Sequence, residues 1–239
     1  AEFLYNSMTG ATTTSGGSAA NTAAGFGSFG GRGAYLGRVR DDRLGRIYAE
    51  DMERVGVAFP STRVKDGPAT GRSMILVTPD GERSMNTFLG AAAEFNEDDV
   101  LEDAVKDSSI LYMEGYLFDR DEAKSAYLKA SEVAHKADRL VSLTLSDSFC
   151  VHRHREDFAR LIERQVDILF ANQDELMAQV ETDDLNDAIA AIREKCALAA
   201  ITRSEAGSII IAGDDTITVP PIAVDRVVDS TGAGDQYAA

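Results

Sequence analysis

From residue 109 onward the chain repeats one pattern, an apolar run followed by a helical stretch. Residues 109–118 (SILYMEGYLF) precede a helix-like segment over 119–137. Residues 140–146 (LVSLTLS) precede one over 149–164, and residues 166–172 (VDILFAN) precede helical stretches across 173–196. Residues 197–203 (ALAAITR) then lead into two more strand-like runs, 207–213 and 216–220. Apolar strands separated by helices demand a mostly parallel sheet covered on both faces, with right-handed crossovers. The pattern therefore predicts an α/β fold. Ligands of such folds collect at the carboxyl ends of the strands, so chemistry is expected in the loops after residues 116, 146, 172 and 203.

The earlier part of the chain differs. Residues 15–31 (SGGSAANTAAGFGSFGG) are small and Gly-rich, yet 19–29 suits a tightly packed helix with Ser18 near its cap. A buried strand is expected over 34–39 and a helix over 41–56, with Leu44, Ile47, Met52 and Val55 roughly on one face. Between residues 57 and 91 the runs become short and alternating. Residues 73–89 read as a hairpin around Pro79, Asp80 and Gly81. Residues 57–91 are thus expected to form a β-rich insertion or lid, on a core made of 1–56 and 92–239.

Composition narrows the partners. The formal net charge of −16 argues against nucleic acid, whose phosphates would be repelled. It leaves room for a small anion, because a local nest of N–H groups overrides the global field. No apolar run reaches the ~18 residues of a membrane span, and the opening AEFLYNSMTG lacks the basic and apolar regions of a signal peptide. Cys150 and Cys196 have no metal or redox spacing and read as free thiols of a reducing compartment. Cytoplasm is the expected location.

Four short stretches carry chemistry. In DSTGAGD (229–235) the run Gly232, Ala233, Gly234 leaves the backbone bare. If a helix starts there, its amides and dipole converge on one spot suited to an oxyanion or a phosphoryl group. Asp235 would reach the same spot as a general base for an attacking hydroxyl; a plain first-turn Asp after a Gly turn is the structural alternative. Gly16 and Gly17 allow a ligand close to the backbone, and Asn21 offers both donor and acceptor, which suits a polyol; a tight turn opening a helix is the alternative. Asn172 and Glu175, directly after a strand, would hold Mg2+ through water and touch phosphate oxygens, or else form a capping box. Thr202 and Gly207 would contact nucleotide phosphates, or else flank a β-turn at 205–207.

Two patterns are decoys. Gly25, Gly27 and Gly30 match G-x-G-x-x-G but precede a strand instead of joining a strand to a helix, and no P-loop is present. His152 and His154 have no third ligand nearby and read as a solvated helix face.

In this order, GGSAANTA (16–23), NQDE (172–175), TRSEAGS (202–208) and DSTGAGD (229–235) resemble the ribokinase/PfkB family of carbohydrate and nucleoside kinases. GERSMNTFLGA (81–91) and LSDSFCVHRHR (145–155) resemble its bacterial adenosine kinase-like branch. The resemblance implies a Rossmann-like, mostly parallel sheet flanked by helices with a small β-sheet lid, which often also mediates a homodimer. It implies ATP and Mg2+ as cofactors and a nucleoside or sugar as substrate. Asp235 matches the family's catalytic base, and Gly232, Ala233 and Gly234 match its anion hole. Gly16, Gly17 and Asn21 match the substrate motif. Asn172 and Glu175 match the motif linked to Mg2+ and the triphosphate, and Thr202 and Gly207 match the nucleotide loop. Asp42 and Gly45 match a D-x-x-G after the second strand. Asp229 and Thr231 sit where some members bind a monovalent cation such as K+.

The chain also departs from the family. Ser204 replaces the usual glycine two residues after Thr202. Residues 1–15 contain no Asp like the one that binds substrate hydroxyls in the family's opening strand, and only four residues follow Asp235. The expectation is a fragment of a longer protein. Three activities fit these motifs: an adenosine kinase, with a lid aromatic such as Phe88 stacking the purine; a sugar kinase for ribose, fructose or 2-keto-3-deoxygluconate; or a non-catalytic sensor on the same fold.

Overall fold

A computed structural model describes residues 7, 8, 10–77, 83–225 and 230–239. In chain order the described strands are β1 (Gly33–Ala34), β2 (Val57–Ala58), β3 (Arg72–Val77), β4 (Arg83–Phe88), β5 (Ile110–Glu114), β6 (Leu140–Thr144), β7 (Ile168–Asn172), β8 (Leu198–Thr202), β9 (Ser208–Ala212) and β10 (Asp215–Val219). The helices are α1 (Ser18–Ser28), α2 (Arg43–Arg54), α3 (Glu102–Asp107), α4 (Asp121–Lys136), α5 (Ser148–Gln165), α6 (Gln173–Val180), α7 (Leu185–Arg193) and α8 (Ala233–Ala238).

The main sheet has six strands in the order β10-β9-β8-β7-β6-β5. Neighbours from β5 to β8 are parallel, and β9 and β10 return antiparallel. Each strand is therefore laid beside the one before it in sequence. The inner strands read as apolar runs because both faces are covered: Val141, Leu143, Leu169 and Ile201 are fully buried. Each such side chain stabilises the fold by roughly 1.5–3 kcal/mol. Helix α4 shows how the flanking layer is specified. It buries Ala123, Ala126, Tyr127, Ala130 and Ala134 along one stripe, with Asp121 and Glu122 in its first turn and His135 and Lys136 in its last.

The N-terminal region makes its own small cluster. Strands β1 and β2 pair in parallel, and Ala20, Met52 and Val57 are buried between α1, α2 and β2. Tyr35, Tyr48 and Phe59 close this cluster, with ring centroids 5.8–6.0 Å apart. Val57 and Ala58, which open the segment read as the lid, thus pair with β1. Hairpin β3–β4 stands apart as a two-stranded antiparallel sheet; its turn at Pro79, Asp80 and Gly81 lies outside the described residues. The hairpin's feet interlock. A Cβ on Gly71 would meet the Leu89 carbonyl oxygen at 2.5 Å, and Gly90 (φ +55°) leaves room for the Ala69 carbonyl at 2.1 Å from such a Cβ.

Several elements are shorter than the pattern suggests. The run 109–118 ends as a strand at Glu114, because residues Gly115–Asp119 turn into a 3-10 helix that seats Gly115 against the Leu145 carbonyl. The expected strand over 34–39 is extended only at Gly33–Ala34, with an isolated bridge between Arg40 and Val64 further on. Helix α1 starts at Ser18, beside its cap Gly17. His154 does not belong to a solvated face. Its backbone leaves helical geometry inside α5, and its partly buried ring bonds to Asp119 (Nε2 to Oδ1, 2.6 Å) and packs on Phe118. No helix among the described residues is long and apolar enough to cross a membrane.

Candidate active site

Each of the four parallel strands ends on a polar residue: Glu114, Thr144, Asn172 and Thr202. Register aligns Glu114 with Thr144 and Asn172 with Thr202. The carboxyl edge of an otherwise apolar sheet is thus a polar row, at the end where open α/β sheets bind ligands.

Helices α1 and α8 complete one side of this edge. Gly17 (φ +110°) turns the chain into α1, and both Gly16 and Gly17 are exposed with open space around them. Gly232 (φ +72°) turns the chain into α8. Asp235, in the first turn of α8, is held on both carboxylate oxygens. Ser18 Oγ donates to Oδ1 and Asn21 Nδ2 donates to Oδ2, each at 2.9 Å. From the strand side, the Ala19 amide donates to Glu114 Oε2 at 2.9 Å. The small residues of α1 have a reason here. A Cβ on Gly25 would meet the Gln236 side chain at 2.7 Å and Ala239 Cβ at 2.9 Å, so glycine lets α8 lie against α1. Of the amides at 232–234, that of Ala233 is turned back to the Ser230 carbonyl (3.2 Å). Asp229 lies outside the described residues; Thr231 is among them.

The other side is built locally. Asn172 caps α6 by accepting from the Glu175 amide (2.8 Å), while Glu175 accepts from the Asn172 amide (2.9 Å) and side chain (2.7 Å). This is the capping box that the spacing allowed. Glu175 is buried, and burial pushes its carboxyl up to about 7. After Thr202 the chain makes a 3-10 turn in which Ser204, the residue in place of the usual glycine, takes φ +49°. Gly207 (φ +82°) gives the room that the Val219 carbonyl occupies, 2.1 Å from a would-be Cβ. Arg203 Nε donates to Gln173 Oε1 (3.1 Å) and joins the two loops.

The two sides meet around a cavity of about 30 Å³ lined by Thr144, Phe170, Thr202, Gly234 and Tyr237. Tyr116 reports the shared electrostatics. Burial raises its phenol, and the charges of Asp147, Glu175, Glu114 and Asp235 raise it further. Among the described residues no three His, Cys, Asp or Glu side chains are grouped to hold a metal directly. A larger groove of about 350 Å³ between α3 and α4 holds Lys106, Lys129 and Lys136, but Glu102 and Glu132 pair with two of them and the third bonds to the Glu97 carbonyl.

Asp42 and Gly45 play a structural part that their spacing explains. Asp42 accepts from the Gly45 amide (2.9 Å) at the start of α2, and from the amide and hydroxyl of Thr70 (2.9 and 2.8 Å). Gly45 is required because a Cβ would lie 2.0 Å from the Arg40 carbonyl oxygen. The pair ties α2 to the foot of the β3–β4 hairpin. Two residues escaped the sequence reading as site residues: Ser18, placed only near a helix cap, and Glu114. Glu114 lies inside the apolar run 109–118, and only the 3-10 turn that follows makes it a strand end.

The structure matches that of an adenosine kinase from Sinorhizobium meliloti with a TM-score of 0.93 and 49% identity, covering 99% of this chain and 73% of that one. A probable sugar kinase protein from Rhizobium etli CFN 42 matches with a TM-score of 0.93 and 47% identity, covering 99% of this chain and 72% of that one. In sequence, a probable fructokinase-4 from Arabidopsis thaliana is 26% identical over 229 residues, 93% of this chain and 70% of the relative. The fold is therefore ribokinase-like, with its mostly parallel sheet and small antiparallel sheet. The model of the pfkB family carbohydrate kinases matches residues 6–239. On that match, and on a carboxylate held beside a glycine turn at the strand ends, the chain belongs to the pfkB family of carbohydrate kinases and is a phosphotransferase.

Proposed function

We propose that the chain transfers the γ-phosphoryl group of ATP to a primary hydroxyl of a nucleoside, adenosine, with Asp235 as the base. One observation carries this reading: Ser18 and Asn21 grip both oxygens of Asp235 beside the turn at Gly232. A carboxylate fixed in this way is oriented to accept a hydroxyl proton at no reorganisation cost. Gly16, Gly17 and Asn21 would hold the substrate's hydroxyls. Amides of Gly232 and Gly234 would face the oxygens of the phosphoryl group in flight, whereas that of Ala233, expected with them, is turned to the Ser230 carbonyl. Asn172, Glu175, Thr202 and Gly207 would line the nucleotide.

The donor set fits Mg2+ in its outer coordination. Glu175 offers hard carboxylate oxygens, but both already accept from Asn172, which suits a cation that keeps its own waters. When bound, Mg2+ neutralises charge on the phosphate oxygens. Asp229 and Thr231 are the residues for a K+ site. The hairpin β3–β4 would close over the substrate and exclude water. Its exposed Val77, Met85 and Phe88 also suit a homodimer through this sheet, and on closure Phe88 would be the aromatic to stack a purine.

The 49% identity to the Sinorhizobium meliloti adenosine kinase supports adenosine. A sugar as acceptor is the second reading, supported by the Rhizobium etli and Arabidopsis thaliana relatives. The test is ADP release from ATP and Mg2+ by the complete protein, offered adenosine, ribose, fructose and 2-keto-3-deoxygluconate in parallel, with Asp235→Asn as the blank. Turnover on adenosine alone is expected. Turnover on a free sugar alone moves the assignment to the second reading, and ligand binding without ADP release would leave a sensor.

A further inference from the structure

We propose that Glu114 is a positioning residue for the transfer: from the end of β5 it anchors the first turn of α1, and through Ser18 and Asn21 it fixes the orientation of the Asp235 carboxylate. The inference rests on the reading of Asp235 as the base.

Helix α1 follows Gly17, which has no side chain to cap the helix. Its first-turn amides therefore need a partner from elsewhere. Glu114 supplies one, because its Oε2 accepts from the Ala19 amide at 2.9 Å across 95 residues of chain. A carboxylate at a helix N-terminus also matches the helix dipole. The residue before Ala19 is Ser18 and two residues after it comes Asn21, the two groups that grip Asp235. The turn that Glu114 anchors is thus the turn that aims the base.

The surroundings of Glu114 are costly for a carboxylate. It has no cationic partner among the described residues, and it lies near the phenols of Tyr35, Tyr112 and Tyr127. Tyr127 Oη donates to the Glu114 carbonyl, not to its carboxylate (2.8 Å). Burial pushes the carboxyl above the usual range, against the pull of the Ala19 amide and the Ser18 hydroxyl, and the charge of Asp235 adds to the rise. A desolvated acid without a cation weakens a fold.

The test compares Glu114→Ala, Glu114→Gln, Ser18→Ala and the Glu114→Ala/Ser18→Ala double variant of the complete protein, with adenosine and fructose as acceptors and Asp235→Asn as reference. Glu114→Ala should lower kcat roughly 10- to 100-fold with KM nearly unchanged, as for a displaced catalytic group. Glu114→Gln keeps an acceptor for the Ala19 amide and should recover most of that loss. The double variant should lose less than the product of the two single losses, because Ser18 is one of the two groups through which Glu114 acts on Asp235. Amide hydrogen exchange gives a readout that needs no turnover: Glu114→Ala should speed exchange at residues 19–22 and also at 234–236 in α8, and Glu114→Gln should not. Unchanged kcat, a Glu114→Gln loss as deep as that of Glu114→Ala, multiplying losses in the double variant, or exchange confined to α1 would each overturn the proposal. An inactive Asp235→Asn with an active Glu114→Ala would remove this inference alone. A fully active Asp235→Asn would remove the base reading, and this inference with it.

Discussion

Asn172 and Glu175 hold each other across three residues of chain, whereas Ser18 and Asp235 meet across 217. The first pair is what a strand-to-helix junction needs in any α/β protein, since the cap satisfies amides that the helix leaves open. The second pair does nothing for local folding. Ser18 donates away from its own helix, and Asp235 spends both oxygens on side chains of α1. A contact that local structure does not require is the better marker of chemistry. The strand-end half of the site should therefore register first in stability, and the α1–α8 half first in turnover.

The sharpest break of this comparison is Asp235→Asn. It should lower turnover at least ~10²-fold, the low end for a positioned base, with little change in Tm; ADP release and thermal melting on one preparation decide it. Gly25→Ala comes next. The added methyl pushes on Gln236 and Ala239 and shifts α8, so kcat should fall by roughly tenfold, while the helix itself gains up to about 1 kcal/mol from losing a glycine. A drop in both turnover and denaturation midpoint would merge the two halves. Asn172→Ala should cost about 1 kcal/mol in urea denaturation through the lost cap.

Asp42→Asn probes the anchor of the hairpin and carries a pH signature. Burial alone would raise the Asp42 carboxyl, but the bonds from Thr70 and Gly45 outweigh it and hold the group below its usual value. A depressed carboxyl adds stability above its unfolded value and loses it as the pH falls through the folded one. The variant should thus be less stable by about 1 kcal/mol at pH 7, and the difference should shrink as the pH drops below about 4. An unchanged difference at low pH would mean that the charge is irrelevant. The smallest effect is at Ser204, which sits in left-handed backbone that glycine adopts freely. Ser204→Gly should alter stability by less than about 1 kcal/mol, measured by melting.

The same contrast explains what could be read from the sequence. The runs 140–146, 166–172 and 197–203 announced β6, β7 and β8 because burial on both faces leaves an apolar run that sequence displays directly. The rule that α/β sheets bind ligands at their carboxyl edge pointed to the strand ends, and the Asn172 cap with Glu175 was legible in the spacing. The early small-residue stretch announced a helix, but not its partner. That Gly25 makes room for α8, that Val57 pairs with β1, or that Glu114 reaches Ala19 depends on contacts between distant segments, which leave no local pattern. His154 was misjudged for the same reason: Asp119 and Phe118 come from another loop.

The main sheet adds each strand beside its predecessor, so every pairing from β5 to β10 joins segments adjacent in sequence and can form as they emerge from synthesis. The grip on Asp235 is of the opposite kind. It joins a residue made early to one made 217 positions later. A growing chain would then hold a folded sheet well before α1 can close on Asp235, so this end of the sheet is the last part of the molecule to take its final form.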